Sequence, residues 1–374
     1  MYPSCQDTTE LADYVRNSLS ILASQGWLSI PLPPDLESLY ANLFAESASF
    51  FNLPPDAREK LDFAAPTGTN ASDEGFSEIQ GEKQLITLRR LSRTPPCLRS
   101  AATAAWDATG QLFLRTVHAI AESLELPDQS VFDAMSAEAQ GLPASARASS
   151  LLRLFRYNRP PGGAGARKKV VAEAHKDLGL LTLVVGQSPG LDARDAQGRW
   201  VSVEDTPRGP GAPRLTATLL AGQTLTYLTR ELYASGAHRV SVLPSAPSPS
   251  DPHDAFRHSL VFALRPAPAA PISTAAFEAS PLIGAFPTAR LSAEANNFPE
   301  CSMYAQPAGE LFRAISQRHW NVNIAPEMRA EQKKRLAEKV GVKPEDMITV
   351  DGVAMAVGVQ PEAREAETGE ARLG

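Results

Sequence analysis

Two histidines and an aspartate, His175, Asp177 and His238, could form a metal site that leaves part of the ion uncovered. Two neutral imidazoles and one carboxylate on one face of a ferrous ion keep coordination positions open for oxygen and an organic acid. His175 and Asp177 stand two residues apart in "EAHKDLGLLTLVVG", and His238 lies far away in "YASGAHRV". A second pair, Arg257 and Ser259 of "FRHSLVFALRP", suits a carboxylate. The guanidinium offers a planar fork, and the hydroxyl adds a donor to the same oxygens.

These residues need a rigid scaffold. Side chains two residues apart on a strand point the same way, so His175 and Asp177 can chelate one ion from one strand. The following "LGLLTLVVG" is short, apolar and bounded by Gly179 and Gly186, which predicts a buried strand. Arg257 and Ser259 obey the same alternation, with Leu260 and Phe262 on the opposite face. Simpler roles exist for each residue. A lone His-x-Asp fits a surface turn, Arg257 could pair with a structural acid, and Tyr157 could be a core aromatic with its hydroxyl satisfied. His118 reads as structural, and neither His253 nor His258 is expected to be a ligand.

The elements around them are helical flanks on a β-rich middle. "LESLYANLFAESASFF" has helical apolar spacing, with Asp35 as its expected N-cap. A short helix is predicted from Pro55, and a long one from Arg99 to Leu126 with Phe113, Val117, Ile120 and Leu124 on one stripe. After Gly141 short apolar runs broken by Gly and Pro predict strands and turns. Helices are expected again in "GELFRAISQRHW" and "PEMRAEQKKRLAEKV", with Trp320 as a packing anchor. The charged end, residues 359–374, predicts disorder.

Composition narrows the function classes. The chain has 374 residues, 43% of them hydrophobic, and a net charge of -6. Such a chain can bury a large core, and mild acidity argues against a nucleic-acid surface. No apolar run is long enough to span a bilayer, and the N-terminus lacks a signal core. Cys5, Cys97 and Cys301 are odd in number and far apart, so a disulfide framework is not expected. These features predict a monomeric cytoplasmic enzyme acting on a small molecule, with no membrane or nucleic-acid partner.

The ordered residues His175, Asp177, Gly179, Leu181, Thr182, Leu183, Gly190, Leu191, Trp200, Val203, Gly222, Tyr233, Ser235, His238, Arg239, Val240, Arg257, Ser259, Phe262 and Pro266 resemble the isopenicillin N synthase-like family of Fe(II)- and 2-oxoglutarate-dependent dioxygenases. "LLRLFRYNRPP" is similar to that family's Arg-x-x-x-Tyr-x-Pro strand, and "SQGWLSIPLPPDLESLYANLFAESASFFNLPPDAREKL" to its entry strand, long helix and turn. The likeness covers roughly residues 15 to 95 and 150 to 267. Three positions depart from it. Phe155 stands where an Asn is common, Gln223 replaces an Asp, and the Pro- and Ser-rich loop after His238 is longer than usual. The family's opening strand is also missing from "MYPSCQDTTELADYV".

The resemblance implies a mainly β fold with flanking helices, built on a double-stranded β-helix (jelly-roll) core. It implies an N-terminal helix and strand region in 1–145, the dioxygenase core in 146–300, a helical extension in 301–358 and a disordered tail in 359–374. It also implies Fe(II) on His175, Asp177 and His238, and 2-oxoglutarate on Arg257, Ser259 and Tyr157, with molecular oxygen as oxidant. The expected outcome is oxidation of a small organic molecule, as in specialised metabolism, with 2-oxoglutarate decarboxylated to succinate. Substrate contacts are expected around Phe76, Gln80, Phe155 and residues 282–298. The long loop is expected at the end away from the metal, and Arg257→Ala is expected to keep iron but lose co-substrate. Three alternatives stay open: an isopenicillin N synthase-like oxidase that does not use 2-oxoglutarate, an inactive binding protein on the same fold, and a cupin-type isomerase or hydrolase.

Overall fold

A computed structural model describes residues 5–66, 74–162, 167–204, 215–245, 255–284, 306–316, 321–340, 347–350 and 353–356. The principal strands in chain order are β1 (Trp27–Ile30), β2 (Gly75–Ile79), β3 (Lys83–Leu88), β4 (Leu151–Asn158), β5 (Lys169–His175), β6 (Leu181–Gly186), β7 (Leu191–Arg194), β8 (Trp200–Ser202), β9 (Thr216–Ala221), β10 (His238–Val242) and β11 (Phe256–Leu264). They form a seven-stranded sheet of order β1-β9-β6-β11-β4-β3-β2 and a four-stranded sheet of order β5-β10-β7-β8. Every pairing among them is antiparallel. The fold is therefore mainly antiparallel β with helices.

Helices α1 (Thr8–Asn17), α2 (Leu19–Gln25), α3 (Pro34–Asn52), α4 (Arg58–Asp62) and α5 (Arg99–Ser123) come from the N-terminal part. Helix α5 buries the predicted stripe of Phe113, Val117 and Ile120. Its Trp106 and Phe113 rings lie 4.5 and 5.4 Å from Phe262 of β11. This contact fixes the face of β11. With Leu260 and Phe262 turned to the helices, Arg257, Ser259 and Val261 must face the other sheet, because a one-residue slip would exchange the two sets. On that inner side, Leu85, Phe155, Tyr157, Val184 and Leu220 of the large sheet share one cluster with Val171, Leu191, Val240 and Val242 of the small one.

Several boundaries differ from expectation. Helix α3 starts at Pro34 with Pro33 as its cap, and Asp35 lies inside the first turn. Proline's fixed φ suits that turn, and Asp35 and Glu37 there complement the helix dipole. Helix α4 is shorter than predicted and starts at Arg58, after a turn closed by Ala57 N–H on the Pro54 carbonyl. Helix α1 occupies the stretch where the family's opening strand is missing, and the Asp7 carboxylate caps it by accepting from Thr9 N and Glu10 N at 2.7 and 3.0 Å. Helices Ala308–Ser316 and Pro326–Val340 form as the periodicity predicts, while His319, Trp320 and residues 359–374 lie outside the described residues. A small hairpin pairs Met347–Val350 with Val353–Ala356 inside the segment expected to be helical.

Candidate metal centre

His175 and His238 are cross-strand partners on β5 and β10 of the small sheet. Their rings approach to 4.2 Å between centroids. Each Nδ1 lies against a backbone carbonyl, Glu173 O at 2.8 Å for His175 and Gly236 O at 3.0 Å for His238. A carbonyl can only accept, so Nδ1 carries the proton and Nε2 presents its lone pair. Donor atoms of His175, Asp177 and His238 all lie within 4.8 Å of one another.

Asp177 is not on a strand. β5 ends at His175, and Asp177 sits two residues beyond it in the turn toward β6. Strand alternation therefore does not place this carboxylate; the turn does. Gln223 N–H donates to the Asp177 carbonyl at 2.8 Å, and the Thr224 hydroxyl donates to Leu178 O at 2.6 Å. Gln223 Nε2 donates to Lys176 O at 3.2 Å, so the residue that replaces the expected Asp has a structural use here. Such close contact needs Gly222: a Cβ there would stand 2.1 Å from Gly179 O.

The Asp177 carboxylate is poised for a cation. Its Oδ2 is buried and has no hydrogen-bond partner among the described residues. Burial pushes the carboxyl up, but the positive charge that His238 and His175 carry when protonated, a Thr182 hydroxyl beside the carboxylate and the Arg265 guanidinium hold it below the ordinary carboxylate range. An anionic oxygen without a donor, facing two imidazole lone pairs, fits a divalent metal that accepts nitrogen and oxygen ligands.

Arg257, Tyr157 and Lys83 occupy one register level across β11, β4 and β3, toward the opposite end of β11 from Leu264. The Arg257 Cζ lies 5.6 Å from the Tyr157 ring centre. Burial pushes the Tyr157 phenol up to about 12, against the pull of Arg257 and of the Ser259 hydroxyl beside it. Arg257 also has a partner that the sequence does not reveal. Its Nη2 donates to both carboxylate oxygens of Glu204, at 3.1 and 3.0 Å, and its Nε to Ser188 O at 3.1 Å. Nη1 is buried with no hydrogen-bond partner among the described residues. Arg257 thus has the structural acid that was one of its simpler roles, and among the described residues one nitrogen stays unengaged, on the strand face that also carries Ser259.

Lys83 was not singled out by sequence. It is fully buried, with Nζ donating to Val171 O and Val322 O at 3.2 and 3.1 Å. Burial pushes its ammonium down to about 7. A charged residue alternating with Leu85 and Thr87 was the available signal. Val322 and the helix Pro326–Val340, through Leu336 and Ala337, contribute to the inter-sheet cluster there, and Arg329 pairs with Glu82 at 2.6 Å.

Two expected substrate contacts lie elsewhere. Phe76 packs on Phe50 and Phe51 on the helical side, at 5.8 and 6.5 Å, because β2 turns that residue outward. Gln80 is exposed in the β2–β3 turn, at the Lys83 end. Phe155 is between the sheets, stacked on Tyr157 at 5.2 Å. Leu282 is exposed, and residues 285–298 lie outside the described residues. His118 is at the surface with Asp133, 3.0 Å away, and His258 is on the helical side near Phe51. His253 lies outside the described residues. The long loop leaves β10 at Val242 and enters β11 at Phe256, so its ends lie away from His238.

No family model and no curated protein matches the chain. Solved structures do match in fold. A full-length Neurospora crassa protein, solved in complex with alpha-KG, is 20% identical, with a TM-score of 0.56 over 83% of this chain and 91% of its own. A protein of Caulobacter crescentus described as of the 2OG-Fe(II) oxygenase family is 19% identical, with a TM-score of 0.58 over 84% and 99%. The dioxygenase for auxin oxidation 1 of Arabidopsis thaliana was solved with 2-oxoglutarate. It is 17% identical, with a TM-score of 0.50 over 71% and 93%. No helix among the described residues is long and apolar enough to cross a membrane.

Proposed function

We propose that this chain, whose fold is shared with 2OG-Fe(II) oxygenases, is a non-haem iron dioxygenase that oxidises a small organic molecule and consumes 2-oxoglutarate. The observation that carries the proposal is the triad: two imidazoles with Nδ1 committed to carbonyls, facing a buried carboxylate oxygen that lacks a donor among the described residues. In this proposal the two sheets are the halves of a double-stranded β-helix of the isopenicillin N synthase-like type.

His175, Asp177 and His238 would hold the iron. The Nη1 of Arg257, the Ser259 hydroxyl and the Tyr157 phenol would receive the distal carboxylate of 2-oxoglutarate, since a buried donor without a partner is costly unless a ligand fills it. When bound, the iron and the keto acid supply the oxidising chemistry. The chain's own residues do the placing. The carbonyls of Glu173 and Gly236 keep both rings in one tautomer, the Gly222–Thr224 segment fixes the Asp177 turn, and the inter-sheet cluster excludes water.

Oxygen uptake and succinate release in a small-molecule screen, with Fe(II) and with or without 2-oxoglutarate, test the proposal. Substrate-triggered uptake that needs the keto acid is expected. Uptake without it would favour an isopenicillin N synthase-like oxidase, a second possibility supported by the engagement of Arg257 with Glu204. Iron bound with no uptake on any substrate would favour a binding protein on the same fold.

A further inference from the structure

Arg257 is the cation proposed to receive the far end of the co-substrate, yet the fold already provides it with a carboxylate. Of its five N–H donors, Nε is committed to Ser188 O and Nη2 to both oxygens of Glu204. Both side chains are 1% exposed. Glu204 is also anchored from behind, where Leu191 N–H donates to its Oε2 at 2.7 Å. Its other oxygen fills the space over Gly186, where a Cβ would come within 2.1 Å. The neighbouring cations are committed too. Lys83 donates to two backbone carbonyls, and the Nε of Arg153 to the Thr87 hydroxyl at 2.9 Å.

From this arrangement we infer that Glu204 is an internal competitor for Arg257, a built-in carboxylate that sets how tightly the distal carboxylate of a keto diacid can bind. The inference rests on the proposed 2-oxoglutarate-dependent function. A second carboxylate brought to Arg257 meets a guanidinium whose charge is already matched and gains only the Nη1 edge, Ser259 and Tyr157. Two buried anions then share one cation, which raises the free energy of both. A keto acid with an uncharged tail escapes that penalty. Glu204 therefore weakens selection for a dianionic co-substrate while leaving the keto-acid end untouched.

Calorimetric titration of the Fe(II)-loaded protein without oxygen tests this with two probes, 2-oxoglutarate and 2-oxopentanoate, which lacks the distal carboxylate. Glu204→Gln is expected to bind 2-oxoglutarate about tenfold or more tighter than the parent, a ratio worth about 1.4 kcal/mol. Its affinity for 2-oxopentanoate should be unchanged. Glu204→Ala carries the same expectation and serves if the Gln variant misfolds by thermal melting. If both variants bind 2-oxoglutarate equally or more weakly, Glu204 positions Arg257 and the inference fails while the proposed function stands. If neither parent nor variants bind 2-oxoglutarate although iron is loaded, both fail together.

Discussion

The two ends of the space between the sheets handle buried charge in opposite ways. At the His175 end, a carboxylate is held with one oxygen lacking a donor among the described residues and two imidazoles turned toward it. At the Arg257 end, a guanidinium is matched inside the fold by Glu204, and the Lys83 ammonium is capped by carbonyls. The first arrangement is incomplete without a cation. The second is nearly complete by itself, with Nη1 the guanidinium nitrogen that has no partner among the described residues. Ligand demand at one end and self-sufficiency at the other are what mutations can separate.

Asp177→Ala gives the largest expected effect. The triad loses its only carboxylate, so iron content measured after loading should fall to background. Thermal stability without metal should hold or rise, because a buried carboxylate oxygen with no donor among the described residues is removed. A stoichiometric iron content in this variant would remove the ligand assignment.

Arg257→Ala should behave differently. It strands Glu204 as an uncompensated buried anion, a loss of about 3 to 5 kcal/mol in chemical denaturation. Co-substrate binding should also fall, by about 2 to 5 kcal/mol or roughly 30- to several thousand-fold, because the Nη1 donor is lost and Glu204 is left as an unmatched anion facing the distal carboxylate. The stability loss, absent from the simple expectation of an iron-retaining variant, follows from the ion pair. Arg257→Met combined with Glu204→Gln should recover much of the fold without the binding, and a double-mutant cycle would measure the coupling.

Lys83 gives a pH signature. Its folded-state pKa, about 7, lies below the unfolded value near 10.5, so the penalty for burying its charge is full below pH 7 and relieved as pH rises toward 10. Unfolding free energy should therefore rise across that window, by up to about 1.4 kcal/mol per pH unit. Lys83→Met should flatten the slope. An identical pH profile for the two proteins would show that the amine stays charged through the window.

Arg329→Ala should have the smallest effect. Its two nitrogens each reach an oxygen of Glu82, with side chains 15% and 18% exposed; the pair lies at the edge of the fold, so a loss of about 1 to 2 kcal/mol is expected. Faster amide exchange in the helix Pro326–Val340, with the Asp177 turn unchanged, would place the effect at the Arg257 end.

Much of the scaffold was legible because it repeats a local period. The alternation in "FRHSLVFALRP" separated Arg257 and Ser259 from Leu260 and Phe262, and helical spacing located α3 and α5 to within a few residues. The Asp177 side chain was harder to place. Its neighbour on the strand template suggested alternation, yet donors of Gln223 and Thr224, some 46 residues later, hold the turn that carries it. Phe76 faces the helices instead, and nothing in the short "GFSEI" strand shows which of its faces meets them. Nothing around Glu204 in "WVSVED" distinguishes it from a solvated acid.

By itself, the chain of residues determined the donor types, their order and the faces of the strands that carry them, since these follow from side-chain chemistry and a two-residue period. Tertiary structure decided which donors stay unpartnered and which are neutralised. That depends on desolvation and on atoms brought together from distant segments: Asp177 facing His238, and Glu204 reaching Arg257 across Gly186.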